Sequence, residues 1–325
     1  MMLGFRLVLV SRLAAFAAAG LSWPSAVSAQ EFPARTMQAV IGFPAGSGAD
    51  IMCRYFATKA GELAGQSIVI VNKPGAFGSL SYAQVASAKP DGYTILMAGN
   101  ALMSASRAFI KTLPFDRKSF VPATSFAETP FIVTVAGSSA LQTVPDLITQ
   151  LKGKPRNRYG TNNPANVAAT AYLRSLTGFE AEAVTYKAAA DALTDVSNGT
   201  LDFMIFDGAF AIGQIRSGKL KALAVTSIYR LPTIPDVPTM QQAGFKDFDF
   251  NPWWGVYLPA GTPPAIVEKV GGWFAQVAKM PETAKQLEPM VLVPSVEGPA
   301  TMNAKLDADG VMWERSLKAA GVEPQ

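Results

Sequence analysis

The chain reads as a two-lobed α/β protein, and three observations point there. Short β-rich runs alternate with helical segments along nearly all of its length. The second such run, Ser67–Asn72 (SIVIVN), is almost continuously apolar, as a strand covered on both faces requires. Finally, 325 residues, less an N-terminal leader, is roughly twice the size of an ordinary domain of about 150 residues.

The leader comes first. Arg6 and Arg12 form a positive n-region, Leu13 to Leu21 an apolar h-region, and Val27-Ser28-Ala29 a small-x-small cleavage site. The h-region is shorter than the about 20 apolar residues of a spanning helix. Residues 1–29 are therefore expected to be a signal peptide, cut between Ala29 and Gln30 and leaving a soluble exported chain; an uncleaved anchor is the alternative.

The first lobe's pattern is strand 37–42, helix 49–64, strand 67–72, helix 79–88 and strand 93–98. That order predicts a parallel sheet with right-handed crossovers. A second α/β set follows Phe131–Val135. Its helices are read at 145–151, 166–176 and 188–198, and its strands at 158–161, 183–186, 201–206 and 221–226. Strand 254–258 comes next, and after Pro263-Pro264 the chain is expected to be mainly helical. Segments 131–135 and 254–258 are read as the two connections between lobes. The expected organisation is 30–131 with 252–325 as lobe 1 and 132–251 as lobe 2, with a cleft between them at the carboxyl ends of the strands.

Composition excludes whole classes of chemistry. There is no histidine, so neither Ser-His-Asp nor Cys-His catalysis nor an imidazole metal site is available. The single cysteine, Cys53, cannot form an internal disulfide and falls among Met52, Tyr55 and Phe56, where a small core residue fits. The formal charge of +4 falls by two when Arg6 and Arg12 leave, and the remaining basic residues are scattered, which argues against nucleic acid. No cofactor, metal or catalytic group is expected.

The stretch Phe43-Pro44-Ala45-Gly46-Ser47-Gly48-Ala49-Asp50 joins the first strand to the first helix. A glycine-rich turn into a helix start aims backbone N–H groups and the positive end of the helix dipole at one place. It lacks the third glycine of a dinucleotide fingerprint and the Gly-Lys-Ser/Thr of a P-loop. What remains is a nest for a carboxylate or a tight structural turn. Tyr159–Asn166 (YGTNNPAN) repeats the layout in the second lobe, with Asn166 as an N-cap or a ligand contact. Asp207 follows an apolar strand, to receive an ammonium or hydroxyl of a ligand or to cap the next turn. Asp191 and Asp195 read as a solvated helix face, and Trp253-Trp254 as core or hinge packing rather than an aromatic wall. Phe43, Phe77, Met103, Phe206 and Trp254 are candidates for an apolar pocket floor.

Taken in order, FPAGSGAD (43–50), VNKPGAFGSL (71–80), KPDGYTILMA (89–98), the run 113–135, the run 186–207, SGKLKALAVTS (217–227), LPTIPDVPTMQQAGF (231–245) and WWGVYLPAGTPPAIVEKV (253–270) resemble the Bug-type periplasmic solute receptors of tripartite tricarboxylate transporters. The resemblance covers nearly the whole chain after the leader. It implies a type II periplasmic-binding-protein fold, α/β, with two lobes joined by two crossover strands and closing over a small organic acid. It implies no enzymatic activity, a periplasmic location, a monomer, and delivery to the membrane subunits of a transporter. The ligand classes are di- or tricarboxylates, acidic amino acids and aromatic acids.

Carried over onto this chain, the ligand contacts are Phe43, Ala45, Gly46 and Ser47 from the first loop, and Thr161, Asn163 and Asn166 from the second. Asp207 faces the distal end, and Asp50 holds the first loop. The chain departs from relatives at Gly46-Ser47, where two glycines are common, at Asn162–Asn166, where a Gly/Ser-rich loop and histidine are usual, and at Thr185–Ala188. Two rival readings are a carboxylate-sensing receptor that feeds a signalling system, and a hydrolase or lyase acting on an acidic substrate. Against the second stand the missing histidine and the lack of a paired-carboxylate signal.

Overall fold

The computed structural model describes residues 31–75, 78–319, 321 and 323. The leader, its cleavage site before Gln30, and Phe77 lie outside the described residues.

In chain order the elements are β1 (Met37–Ile41), α1 (Gly48–Ala64), β2 (Ile68–Asn72), α2 (Ser79–Ala86), β3 (Thr94–Gly99), α3 (Asn100–Phe109) and β4 (Phe120–Glu128). Then come β5 (Phe131–Ala136), α4 (Val144–Gly153), β6 (Arg158–Thr161), α5 (Pro164–Thr177), β7 (Glu182–Thr185), α6 (Ala189–Ser197), β8 (Phe203–Asp207), α7 (Gly208–Arg216) and β9 (Leu220–Val225). The chain finishes with β10 (Trp253–Pro259), α8 (Pro264–Ala278), α9 (Pro281–Leu287), β11 (Val293–Pro294) and α10 (Pro299–Ala319).

Local chemistry sets many of these boundaries. Ser47 caps α1 by accepting the Asp50 N–H, and Gly65 ends the helix in the left-handed region at φ 66°, where a side chain would be strained. Thr143 and Asp146 form a reciprocal capping box on α4; Asn163 and Asn166 form one on α5, and both helices carry a proline in the first turn.

Two sheets result. One has strand order β11-β4-β10-β3-β1-β2, the other β7-β6-β8-β5-β9. β1 pairs in parallel with β2 and β3, and β6 with β7 and β8, as the alternating pattern requires. β10 is antiparallel to both β3 and β4, and β5 is antiparallel to both β8 and β9, so each sheet is mixed. The expected connections shift accordingly. Residues 131–136 pair wholly within the second sheet and 253–259 within the first. The chain passes between sheets at Thr129-Pro130 and again between Val225 and Trp253. α3, β4 and α7 are elements that the sequence pattern alone did not separate from their neighbours.

Both faces of each sheet are covered. Ala39, Ile41, Ile95, Met97, Val256 and Leu258 belong to one core cluster, whereas Val40, Leu96, Ala98 and Tyr257, at alternate positions, belong to another. This period of two is the pleat itself. The second of these clusters runs on through Val133, Phe203 and Ile205 of the other sheet to Met302, Leu306 and Trp313 of α10. α10 packs on α3 and β4 of the first sheet's side and on α5 of the second's. A single apolar core thereby spans both halves, with α10 across it. Cys53 is fully buried in the remaining cluster, and burial pushes its thiol pKa well up.

Candidate functional site

The first loop leaves the carboxyl end of β1 and is fixed from below by Asp50. This residue is 2% exposed. Its Oδ2 accepts the Gly46 N–H at 2.8 Å and the Arg54 Nε at 2.9 Å, and its Oδ1 accepts Asn72 Nδ2 at 2.8 Å. Asn72 also donates to the Phe43 carbonyl at 3.0 Å and accepts from Arg54 Nη2 at 2.9 Å. Burial works to raise the Asp50 pKa, but the hydrogen bonds from Arg54, Asn72 and Gly46 outweigh it, and the carboxyl stays below its ordinary range. The role expected of Asp50, holding the loop, is what its contacts show.

On this frame Phe43 is half-buried, its ring 5.2 Å from that of Trp254. Ala45 and Gly46 are exposed at the tip, with Gly46 at φ 79°. Ser47 Oγ donates to the Pro44 carbonyl at 2.8 Å and accepts from Asp50 N–H at 3.2 Å. The Gly46 N–H is thus turned inward to Asp50. The N–H groups of Gly48 and Ala49, in the first turn of α1, have no acceptor among the described residues, as helix geometry dictates for a first turn.

The second loop is built from asparagines. Asn163 Oδ1 accepts the Asn166 N–H at 3.0 Å, and Asn166 Oδ1 accepts the N–H groups of Asn162 and Asn163, each at 3.2 Å. Asn166 Nδ2 donates to Asn162 Oδ1. Asn166 is fully buried, with both of its amide atoms engaged inside the loop. Thr161 is buried at the end of β6, its hydroxyl 3.3 Å from that of Thr185. The Ala165 N–H has no acceptor among the described residues.

β6 and β8 are parallel neighbours, with Tyr159 opposite Phe203 and Gly160 opposite Met204. Asn163 and Asp207 follow the carboxyl ends of these two parallel strands, so both N-caps stand at the same edge of the second sheet. Asp207 Oδ1 accepts the Phe210 N–H at 2.9 Å and caps α7. Burial raises its pKa, only partly offset by backbone hydrogen bonds, and no cation contributes.

Some expectations are redirected. Asp191 accepts the Ala188 N–H at 3.1 Å and Asp195 accepts the Tyr186 hydroxyl at 2.6 Å, so both brace local structure rather than merely facing water. Met103 and Phe206 are buried in two different core clusters, which removes them from a shared pocket floor with Phe43 and Trp254. Trp253 and Trp254 are buried. The Trp254 indole donates to Thr129 Oγ1 at 2.7 Å, tying β10 to the first pass between sheets. Sequence reasoning missed Arg54 and Asn72, although the i,i+4 spacing of Asp50 and Arg54 was visible.

Comparison with known proteins gives this geometry its family. The model of the tripartite tricarboxylate transporter family receptor matches residues 52–318. The chain belongs to that family. It is 30% identical over 256 residues to the protein BugT of Bordetella pertussis, covering 77% of this chain and 78% of BugT. The fold is similar to R. palustris Rpa4515 with adipate (TM-score 0.81, 28% identity, 91% of this chain and 100% of that one). It is also similar to the periplasmic binding protein BugD (TM-score 0.77, 28% identity, 90% of this chain and 100% of that one). The receptor family fixes the type II periplasmic-binding-protein fold and makes this a solute-binding protein, not an enzyme.

Proposed function

We propose that this receptor captures a small organic carboxylate between lobes 30–131 with 252–325 and 132–251, and hands it to the membrane subunits of a tripartite transporter. The observation that supports this most is the pair of helix starts at strand carboxyl ends, one per sheet. Their side chains are consumed in capping, while N–H groups at Gly48, Ala49 and Ala165 keep no internal acceptor among the described residues. Neutral donors of this kind hold an anion without the desolvation cost of a buried ion pair. Phe43, Ala45, Gly46 and Ser47 shape one side, Thr161, Asn163 and Asn166 shape the other, and Asp207 stands at the distal end to accept an ammonium or hydroxyl.

Ligand binding favours the closed form through its greater affinity for it, and the closed form is what the transporter reads. The receptor works as a monomer in the periplasm, released by cleavage before Gln30. A thermal-shift screen against linear dicarboxylates, adipate first, then tricarboxylates, acidic amino acids and aromatic acids tests the reading. A saturable rise in melting temperature identifies the class, because binding to the native state alone must stabilise it. No rise with any acid, after unfolding and refolding to strip a carried ligand, removes the carboxylate assignment.

A further inference from the structure

α10 joins the two halves on one face of the second sheet, the face of Val133, Phe203 and Ile205. Ile132, Met204 and Phe206, at the alternate positions, point to the opposite face and form a separate cluster. All but one of the described residues in that cluster fall between 132 and 237. The exception is Val291, from the segment between α9 and β11, and β11 pairs with β4 in the first sheet. Its neighbours Leu287 and Leu292 pack in the first sheet's own cluster. One side chain therefore crosses from the first half into the core of the second, where it is 3% exposed.

Its backbone carries strain. The Val291 N–H donates to the Glu288 carbonyl at 2.9 Å and the Leu292 N–H to the Leu287 carbonyl at 3.2 Å, the two bonds of a Schellman helix end. The turning residue of that motif adopts the left-handed region, and Val291 stands at φ 56° and ψ 30°. Glycine is usual there; a β-branched side chain is not. Among the described residues Val291 is the only one besides glycines with positive φ. Strain of this kind persists where surrounding contacts hold it. Here the contacts lie across the junction of the sheets. A Cβ on Gly208 would stand 2.8 Å from Val291 Cγ1 and 2.9 Å from the Pro130 carbonyl oxygen, to which the Gly208 N–H donates at 2.9 Å. Pro130 belongs to the first pass between the sheets, and Gly208 opens α7 directly after Asp207.

We propose that Val291 is a positioning residue for solute capture, a wedge beside the first pass that sets the angle between the two sheets. α10 ties the halves on one face, and Val291 blocks rotation about Thr129-Pro130 on the other. Because Asp207 precedes Gly208 and pairs with Phe131, the wedge also sets where Asp207 stands relative to the first loop. That consequence alone rests on the carboxylate reading of the cleft. A receptor with few available angles loses less freedom when it closes on a solute, which is the advantage of preorganisation. Strain at Val291 is thus matched by a restriction that a glycine would not impose.

Double electron–electron resonance on the ligand-free protein, with spin labels at Glu62→Cys in α1 and Gln150→Cys in α4, reads the angle. Both positions are exposed, and Cys53 is fully buried, out of the label's reach. A single narrow distance distribution is expected with Val291 present. Val291→Gly should widen it about twofold or more, while its melting temperature stays near that of the parent because relief of strain offsets lost burial. Val291→Thr, with the same branching, should keep it narrow. Leu287→Ala, which opens a cavity in the first half alone, should lower the melting temperature without widening the distribution. If Val291→Gly does not fold, Val291→Ala, which also withdraws the methyl groups from Gly208, carries the same expectation. A broad distribution in the parent overturns the proposal, as does an unchanged width on loss of the side chain, or equal widening in Leu287→Ala. No solute is used, so failure of the carboxylate reading leaves the result intact.

Discussion

Replacing Asp50 with asparagine tests the frame beneath the first loop. The carboxylate accepts three hydrogen bonds, from Gly46 N–H, Arg54 Nε and Asn72 Nδ2, at 2.8 to 2.9 Å. Asparagine keeps one acceptor oxygen and sets an NH₂ against donors on the other side. Each hydrogen bond to a charged group contributes about 1.5–3 kcal/mol, and the Arg54 partner, nearly half exposed, stands at the low end through solvent screening. Allowing one bond to survive, the expected loss is about 2–4 kcal/mol by urea denaturation near pH 7. The wild-type pKa is depressed in the fold, so the ionised form stabilises it. That contribution is complete above the ordinary aspartate pKa of about 4 and is lost as pH falls through the depressed value. The difference between wild type and Asp50→Asn should therefore shrink in acid. A loss below about 0.5 kcal/mol, or one that does not change with pH, refutes the argument.

Four further outcomes are expected. Ser47→Asp keeps a good N-cap, though it loses the hydrogen bond to the Pro44 carbonyl, and sets a charge beside the open N–H groups of α1, so carboxylate affinity should fall about tenfold or more by calorimetry; equal affinity removes this loop from the site. Asp207→Asn also keeps its cap. Because burial raises the Asp207 pKa, the stability tied to its neutral form is lost as pH rises, so the variant should melt higher at pH 7 and match the wild type below about pH 4. A Cβ on Gly42 would stand 2.7 Å from the Gly78 Cα, so Gly42→Ala should cost about 1–3 kcal/mol in a denaturant titration. Trp254→Phe leaves the Thr129 hydroxyl without its indole donor and should cost about 1–2 kcal/mol in the same assay.

The first loop was legible because its signals are local. Proline, glycine and serine fix the turn and the cap within a few residues, and Asp50 reaches Arg54 along one helix face. Asn72 was not legible as a partner. It lies on the neighbouring strand, and only the β1–β2 register, with Ile41 opposite Asn72, brings it to the loop. The second loop shows the converse. Asn166 reads equally as cap or contact in the sequence, and burial of its amide inside the asparagine network is a result of packing.

From sequence alone came the alternation of strand and helix, the parallel cores of both sheets, the absence of histidine-based chemistry and the two cap-bearing loops. All of these follow from short-range propensity and from which residue types are present. Tertiary structure alone decided the antiparallel strands β4, β5 and β10, the place where the chain passes between sheets, and the course of α10 across a core shared by both. It also decided that Glu128, Asp249, Lys305 and Asp309 surround one cavity. Their placement depends on contacts between residues as much as two hundred positions apart, where no local pattern carries the information.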